Sequence, residues 1–233
     1  MKPFNFSPAL FTDEFRTFGF VHVKNAMDAD FFGFAVDQLR QCQRTGRNEI
    51  PDRAIKNKKK QYLFDFPDDG RTAISELLDS VSVLTGLPAA PMTISERHIM
   101  IYDVAAAPSP KLHKDRLASQ ISVGIPLEVS GESHIVMLPY GARDINSLEH
   151  AVYSANEVEA GAERVSWEML GLERPETDQD RDGLELVTID ARPGDVVVFA
   201  GSSMYHGRLR AAQSSMLYFK LNAMRLDPLG EHP

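Results

Sequence analysis

Pro193-Gly-Asp-Val-Val-Val-Phe199 runs through Ala200 into Gly201-Ser-Ser-Met-Tyr-His-Gly207. A breaker pair, then a short β-branched and aromatic run, then a polar loop bounded by glycines reads as a rigid strand over Asp195 to Phe199 handing over to a loop. Similar short β-rich runs flank it: Ile94 to Tyr102, Gln120 to Leu127, Ser133 to Pro139, Leu184 to Ile189 and Ser215 to Ala223. Gly, Pro or polar turns separate them, and few helical stretches intervene beyond Pro91. The expected fold class is therefore mainly β with supporting helices, an antiparallel sandwich or small barrel that holds ligands in its mouth.

The N-terminal portion, around residues 1–90, supplies the support. A short helix over 13–18 feeds a strand in Gly19-Phe-Val-His-Val23, and Asp28 is placed to cap a helix carrying Phe31, Phe34, Ala35 and Leu39. Ile74, Leu77, Leu78, Val81 and Leu84 recur at helical spacing between Thr72 and Gly86. Asn48 to Gly70 is polar and irregular apart from Tyr62-Leu-Phe-Asp-Phe66, and reads as a wall or lid. An insertion around residues 141–183 breaks the strand rhythm, with a short helix around Arg164 to Leu170 and an acidic loop from Glu173 to Gly183. The whole chain, 1–233, is expected to form a single domain.

The 33 acidic against 25 basic residues give a formal charge of -8, which works against binding a phosphate backbone and makes nucleic acid a poor partner. The run Lys56 to Lys60 is too short to reverse that. Cys42 is the one cysteine, so neither a disulfide within the chain nor a cysteine zinc cluster can form, and a cytoplasmic setting is the simpler expectation. No apolar run is long enough to cross a bilayer. A small-molecule ligand fits best, and the chain is compatible with a homodimer.

The sharpest chemical signal is Lys111-Leu-His113-Lys-Asp115. In an extended segment residues i and i+2 share a side, so His113 and Asp115 can offer an imidazole nitrogen and a carboxylate oxygen to one ion. His206 is a credible third ligand. Two histidines and one carboxylate on one face of an octahedron leave up to three positions open, the arrangement of non-haem iron(II) oxygenases. A lone His-x-Asp arises often by chance; His-x-Asp, several strands, a Gly-Asp turn, a hydrophobic strand and then His-Gly is far more restrictive.

With these segments the chain resembles the phytanoyl-CoA dioxygenase-like branch of the iron(II)/2-oxoglutarate-dependent oxygenases, whose fold is a jelly-roll double-stranded β-helix of the cupin type. Gly19-Phe-Val-His-Val-Lys-Asn25 followed by a helix is similar to that branch's opening. His113-Lys-Asp115 and Pro193 to Gly207 match its metal framework. The resemblance implies Fe(II), 2-oxoglutarate as cosubstrate and O2, with hydroxylation of an unactivated C–H bond and formation of succinate and CO2. His113, Asp115 and His206 would be both catalytic residues and metal ligands. Retention of the carboxylate favours hydroxylation over halogenation.

In such families an arginine or lysine shortly after the distal histidine pairs with the far carboxylate of 2-oxoglutarate. This chain departs from the usual arginine and has Lys220 there, alternating with Tyr218 and Asn222 on a strand; Arg208 and Arg210 are the other basic choices, and Ser215 or Tyr218 can add a hydrogen bond. Arg97, Tyr102, Gln120, Arg116 and Trp167 are substrate-binding candidates, each with a surface, packing or supporting role as its plainer reading. A small polar or amino-acid-like metabolite is the expected substrate. Two other classes stay open: a cupin-like metal-dependent oxygenase or isomerase that does not use 2-oxoglutarate, and a non-enzymatic β-sandwich that binds a ligand without chemistry.

Overall fold

The computed structural model describes residues 1–50, 59–67, 70–104, 111–139, 144–159, 161–173 and 183–233. The N-terminal support begins with a 3-10 turn over Pro8–Phe11, then α1 (Thr12–Phe18), β1 (Phe20–Val23) and α2 (Ala29–Thr45). The Asp28 carboxylate accepts hydrogen bonds from the backbone N–H groups of Asp30 and Phe31, satisfying two donors that the first turn of α2 would otherwise orphan. After β2 (Lys59–Leu63), α3 (Arg71–Thr85) follows, and Gly86 ends it at φ 74°, a left-handed conformation that a side chain would strain.

Among the described residues eleven more strands complete the body: β3 (Thr93–Tyr102), β4 (Lys111–Lys114), β5 (Ile121–Glu128), β6 (His134–Met137), β7 (Val152–Glu157), β8 (Arg164–Val165), β9 (Leu184–Glu185), β10 (Val187–Ile189), β11 (Val196–Phe199), β12 (His206–Leu209) and β13 (Ser214–Asn222), which closes the fold. They form a six-stranded sheet in the order β1-β11-β5-β13-β3-β2 and a five-stranded sheet in the order β10-β6-β12-β4-β7. Every pairing is antiparallel. Consecutive strands β3, β4, β5, β6 and then β10, β11, β12, β13 alternate between the two sheets, which is the winding of a double-stranded β-helix.

The larger sheet has two unlike faces. Leu217, Phe219 and Leu221 of β13 turn outward and pack with Phe31, Leu39, Leu77 and Val81 of the helices. Phe64 sits at the centre of that layer, its ring 5.5 Å from Phe219 and 6.0 Å from Phe31. Truncating such a residue to alanine costs about 3–5 kcal/mol. The inward residues of β13, Met216, Tyr218 and Lys220, face the second sheet across the barrel. Between the sheets, Ile135, Met137, Val197 and Phe199 fill the side nearest β10 and β11, leaving the polar side chains to the other side.

Four expectations are corrected. The polar stretch 48–70 is no lid where it is described: β2 extends the sheet edge, and Tyr62 and Phe64 are buried. The insertion does not stop the strand rhythm, since β7 pairs with β4 as the outer strand of the second sheet. The expected helix over Arg164 to Leu170 is instead the two-residue strand β8 and a 3-10 turn at Glu168–Leu170. Leu184 to Ile189 also divides: β9 pairs with β8, and β10 joins β6. Lys56 to Asn57 and Lys58, and most of the acidic run after Glu173, lie outside the described residues. Among those described, no helix is long and apolar enough to cross a membrane.

The two motifs that carried the family resemblance hold each other. His22 of β1 lies 2.9 Å from Asp195, and the Asn25 and Arg192 backbone N–H groups donate to the same carboxylate at 2.9 Å each. His22 therefore anchors β1 to the turn before β11 rather than reaching a metal.

Candidate metal centre

β4 and β12 lie side by side with His113 directly opposite His206. The chain leaves β4 at Lys114, and the Asp115 backbone N–H donates to the Gly201 carbonyl at 2.8 Å, turning the carboxylate back toward both rings. His113 Nε2 stands 3.7 Å from one Asp115 oxygen and His206 Nε2 stands 3.7 Å from the other. The three ligand atoms all lie within 4.8 Å of one another, a span that ligand bonds of about 2.0–2.2 Å to one ion can close. Two neutral imidazoles and a carboxylate with open positions suit a divalent first-row metal.

Supporting groups fix each ligand. His206 Nδ1–H donates to the Met204 carbonyl at 2.9 Å, which selects the tautomer whose Nε2 is the donor to a metal. Burial pulls its pKa down although Asp115 opposes this, keeping the imidazole neutral. Tyr153 stacks on His113 with ring centroids 5.4 Å apart. Asp115 is buried, with Ser122 donating to Oδ2 at 2.7 Å and Lys220 donating to Oδ1 at 2.6 Å. Burial works to raise its pKa, but Lys220, His206 and His113 outweigh that and hold it well below the usual carboxylate range.

Two backbone features complete the site. A side chain at Gly201 would put its first carbon 2.5 Å from Ser122 Oγ and 2.6 Å from Asp115 Oδ2, so only glycine fits. Asn146, buried, donates to the Asp115 carbonyl at 2.9 Å, and its own backbone N–H donates to the Ser202 carbonyl at 2.7 Å. One residue thus ties both metal-bearing segments together.

Deeper along the inward face of β12 lies Arg208, only 7% exposed. One nitrogen, Nη1, donates to Ser133 Oγ at 2.9 Å, while Nε and Nη2 are buried without a hydrogen-bond partner among the described residues. Tyr102 and Tyr218 are its phenolic neighbours. Burial, reinforced by the Tyr102 hydroxyl, pushes Tyr218 up to about 12 despite Arg208; it stays a neutral hydrogen-bonding group. Room for its ring comes from Gly124, where an added carbon would lie 3.1 Å from the Tyr218 ring.

The remaining candidates are dispersed. Lys220 serves Asp115, with Glu96 4.0 Å away; burial lowers its pKa, yet Asp115 and Glu96 outweigh that and hold the ammonium above the ordinary lysine range. Arg210 lies exposed at φ 49° and pairs with Glu132 at the surface. Ser215 alternates with Met216 onto the helix-facing side of β13, away from Arg208. Arg97 also points outward, where it donates to the Phe64 and Glu231 carbonyls. Arg116 sits beside Asp115 and pairs with Glu96 at 2.8 Å. Gln120 accepts from the Ala223 backbone N–H, and Tyr102 lies in the Arg208 pocket. Trp167 packs with Leu170 and Val165 on the outer side of the second sheet, so it is not at the metal. Ser122, Ser133, Asn146 and Glu96 escape a reading of the sequence, because register alone brings them here.

A double-stranded β-helix with His-x-Asp and a distal histidine at the ends of its strands is the architecture of the 2-oxoglutarate and iron(II) oxygenases, and this chain has that fold. Neither a protein-family model nor a curated protein matches the sequence. Among solved structures, it is similar to a Pseudomonas putida prolyl-4-hydroxylase (TM-score 0.57, 14% identity, covering 91% of this chain and 98% of that one). It is likewise similar to the epimerase SnoN in complex with Fe3+, alpha ketoglutarate and nogalamycin RO (TM-score 0.57, 13% identity, 91% and 83% covered). A third is HygX from Streptomyces hygroscopicus with nickel, 2-oxoglutarate and hygromycin B bound (TM-score 0.54, 14% identity, 91% and 86% covered). At these identities the likeness is one of fold.

Proposed function

We propose that this protein is an iron(II)- and 2-oxoglutarate-dependent oxygenase that hydroxylates a small polar or amino-acid-like metabolite. The observation that carries the reading is the pairing of His206 and Arg208 on one inward face of β12. Residues i and i+2 of a strand point to one side with their Cα atoms about 6.5–7 Å apart, so the guanidinium shares the wall that carries the metal position, an arrangement suited to a keto diacid with its keto-acid end at the metal and its far carboxylate at the guanidinium. Arg208 keeps two buried nitrogens without partners for that carboxylate, and an arginine fork fits a carboxylate in two-point fashion. Ser133 holds the guanidinium from the other side, and Tyr218 and Tyr102 line the pocket.

Iron at this site would supply the redox chemistry that couples decarboxylation of 2-oxoglutarate, to succinate and CO2, to oxidation of a C–H bond by O2. The protein's own part is positional. His113, Asp115 and His206 would hold the ion. Ser122 and Lys220 hold the carboxylate in place, and the apolar wall of Ile135, Met137 and Phe199 keeps water from one side. Near Asp115, Glu96 pairs with Arg116 and accepts from Ser119 Oγ at 3.1 Å, a hydrogen-bonding rim that favours a polar substrate. The family opening at Gly19 to Asn25 supports the phytanoyl-CoA dioxygenase-like branch, and buried Cys42 is in keeping with a cytoplasmic setting.

Anaerobic titration tests this. Protein loaded with iron(II) is expected to develop a weak visible metal-to-ligand band when saturated with 2-oxoglutarate. Bound iron whose spectrum 2-oxoglutarate leaves unchanged would refute the cosubstrate and favour the cupin-like reading.

A further inference from the structure

The row Glu96, Lys220, Ser122 crosses the larger sheet at one level, since Lys220 is the register partner of both Glu96 and Ser122. Its two donors take one Asp115 oxygen each, at 2.6 Å and 2.7 Å. The ammonium sits against a buried metal ligand, while Arg208 offers unpartnered nitrogens to a carboxylate. A lysine engaged in this way is poorly free to hold a cosubstrate. We propose that Lys220 is a positioning residue that acts as an internal counter-ion for Asp115, neutralising the metal carboxylate while no ion is bound and opposing the ion's charge once it arrives. The inference rests on the reading of His113, Asp115 and His206 as a metal site.

The sign of the effect follows from a cycle. Without metal, removing the ammonium leaves a buried carboxylate with the Ser122 hydroxyl and two imidazoles 3.7 Å away, which is costly. With metal, the same carboxylate is paired by the ion and the cost shrinks. Loss of Lys220 therefore destabilises the metal-free protein more than the metal-bound one. Coupling between two ligands of one group is reciprocal, so the ion must bind more tightly when the ammonium is gone. A lysine that merely shaped the site would give the opposite result, and one that anchored 2-oxoglutarate would leave metal affinity unchanged.

The test uses the full chain with Co(II), its affinity measured by titration and its metal-free unfolding followed by heat. Lys220→Met is expected to lower the metal-free midpoint and to bind Co(II) about tenfold more tightly than the wild type. Lys220→Arg should restore both values toward wild type. If Lys220→Met does not fold, the double variant Asp115→Asn with Lys220→Met, in which neither charge remains, is expected to fold and to unfold at a higher temperature than Asp115→Asn alone. Equal or weaker Co(II) binding by a folded Lys220→Met, or a double variant no more stable than Asp115→Asn, overturns the proposal. A wild type that takes up no Co(II) overturns the metal site itself, a distinguishable failure.

Discussion

Arg208→Met separates two consequences of one buried guanidinium. Methionine fills similar volume without charge, so the substitution removes the carboxylate partner while keeping the pocket packed. Removing one member of a buried charge pair costs about 2–5 kcal/mol, so 2-oxoglutarate should bind roughly 30-fold to 5000-fold more weakly. The ligand-free protein should move the other way. Arg208 buries Nε and Nη2 without partners among the described residues, while its guanidinium bonds Ser133 and also engages the Tyr218 hydroxyl. Exchanging a buried ion for an apolar residue is neutral or stabilising by about 1–4 kcal/mol, and the lost Ser133 bond offsets about 1 kcal/mol. The balance runs from a loss of about 1 to a gain of about 3 kcal/mol, which corresponds to a Tm between a few degrees lower and roughly 10 °C higher for a chain of this size. Calorimetric titration of the metal-loaded protein with 2-oxoglutarate, paired with thermal unfolding without it, reads both. Unchanged cosubstrate affinity would refute the anchor, and a ligand-free Tm lowered by more than about 5 °C would refute the claim that Nε and Nη2 lack partners.

Other perturbations test the rest of the site. Gly201→Ala must displace Ser122 or Asp115, since the new carbon falls 2.5 Å and 2.6 Å from their oxygens; the expected cost is about 1–3 kcal/mol of stability with weakened Co(II) binding, and a variant that titrates like wild type would show that the loop yields freely. Asn146→Ala strips the buried Asp115 carbonyl of its 2.9 Å donor and should weaken metal binding about 10- to 100-fold, read by competition with a chromogenic chelator. Burial raises the Asp195 pKa, but the Arg192 and Asn25 N–H groups and His22 more than offset this and leave it lowered. Its contribution is then fully present above about pH 4 and lost as pH falls through the lower folded value; the Tm gap between wild type and Asp195→Ala should hold from pH 7 to 5 and narrow toward pH 3. A gap that widens in acid would reverse the assignment.

Much of the fold was legible because its strands are apolar runs between breakers. Val196 to Phe199 is buried on both faces and leaves little alternative, and Asp28 announced the start of α2. Two edge strands were not legible. Val152 to Glu157 is polar because most of it faces solvent, and Lys59 to Leu63 lies in a basic stretch in which Tyr62 is the buried residue among those described. At the site, His113 and Asp115 share a side by local geometry and His206 follows a glycine-marked loop, so sequence spacing sufficed to nominate all three. The roles of Lys220, Arg208 and Ser122 depend on which strands become neighbours. Lys220 and Ser122 are far apart in the chain and adjacent only through the β5–β13 register, information carried by no short motif.

The two-residue step from His206 to Arg208 also acts as a caliper. The strands on either side, β4 and β6, hold β12 in place, so the two side chains leave the same wall of the barrel at a fixed interval of backbone. On the proposed reading, a four-carbon keto diacid would fall short of one jaw and a six-carbon one would have to buckle between them. Sliding the strand by a single residue would turn the guanidinium out of the barrel altogether, so on the proposed reading the acid accepted depends on the pleating of one strand.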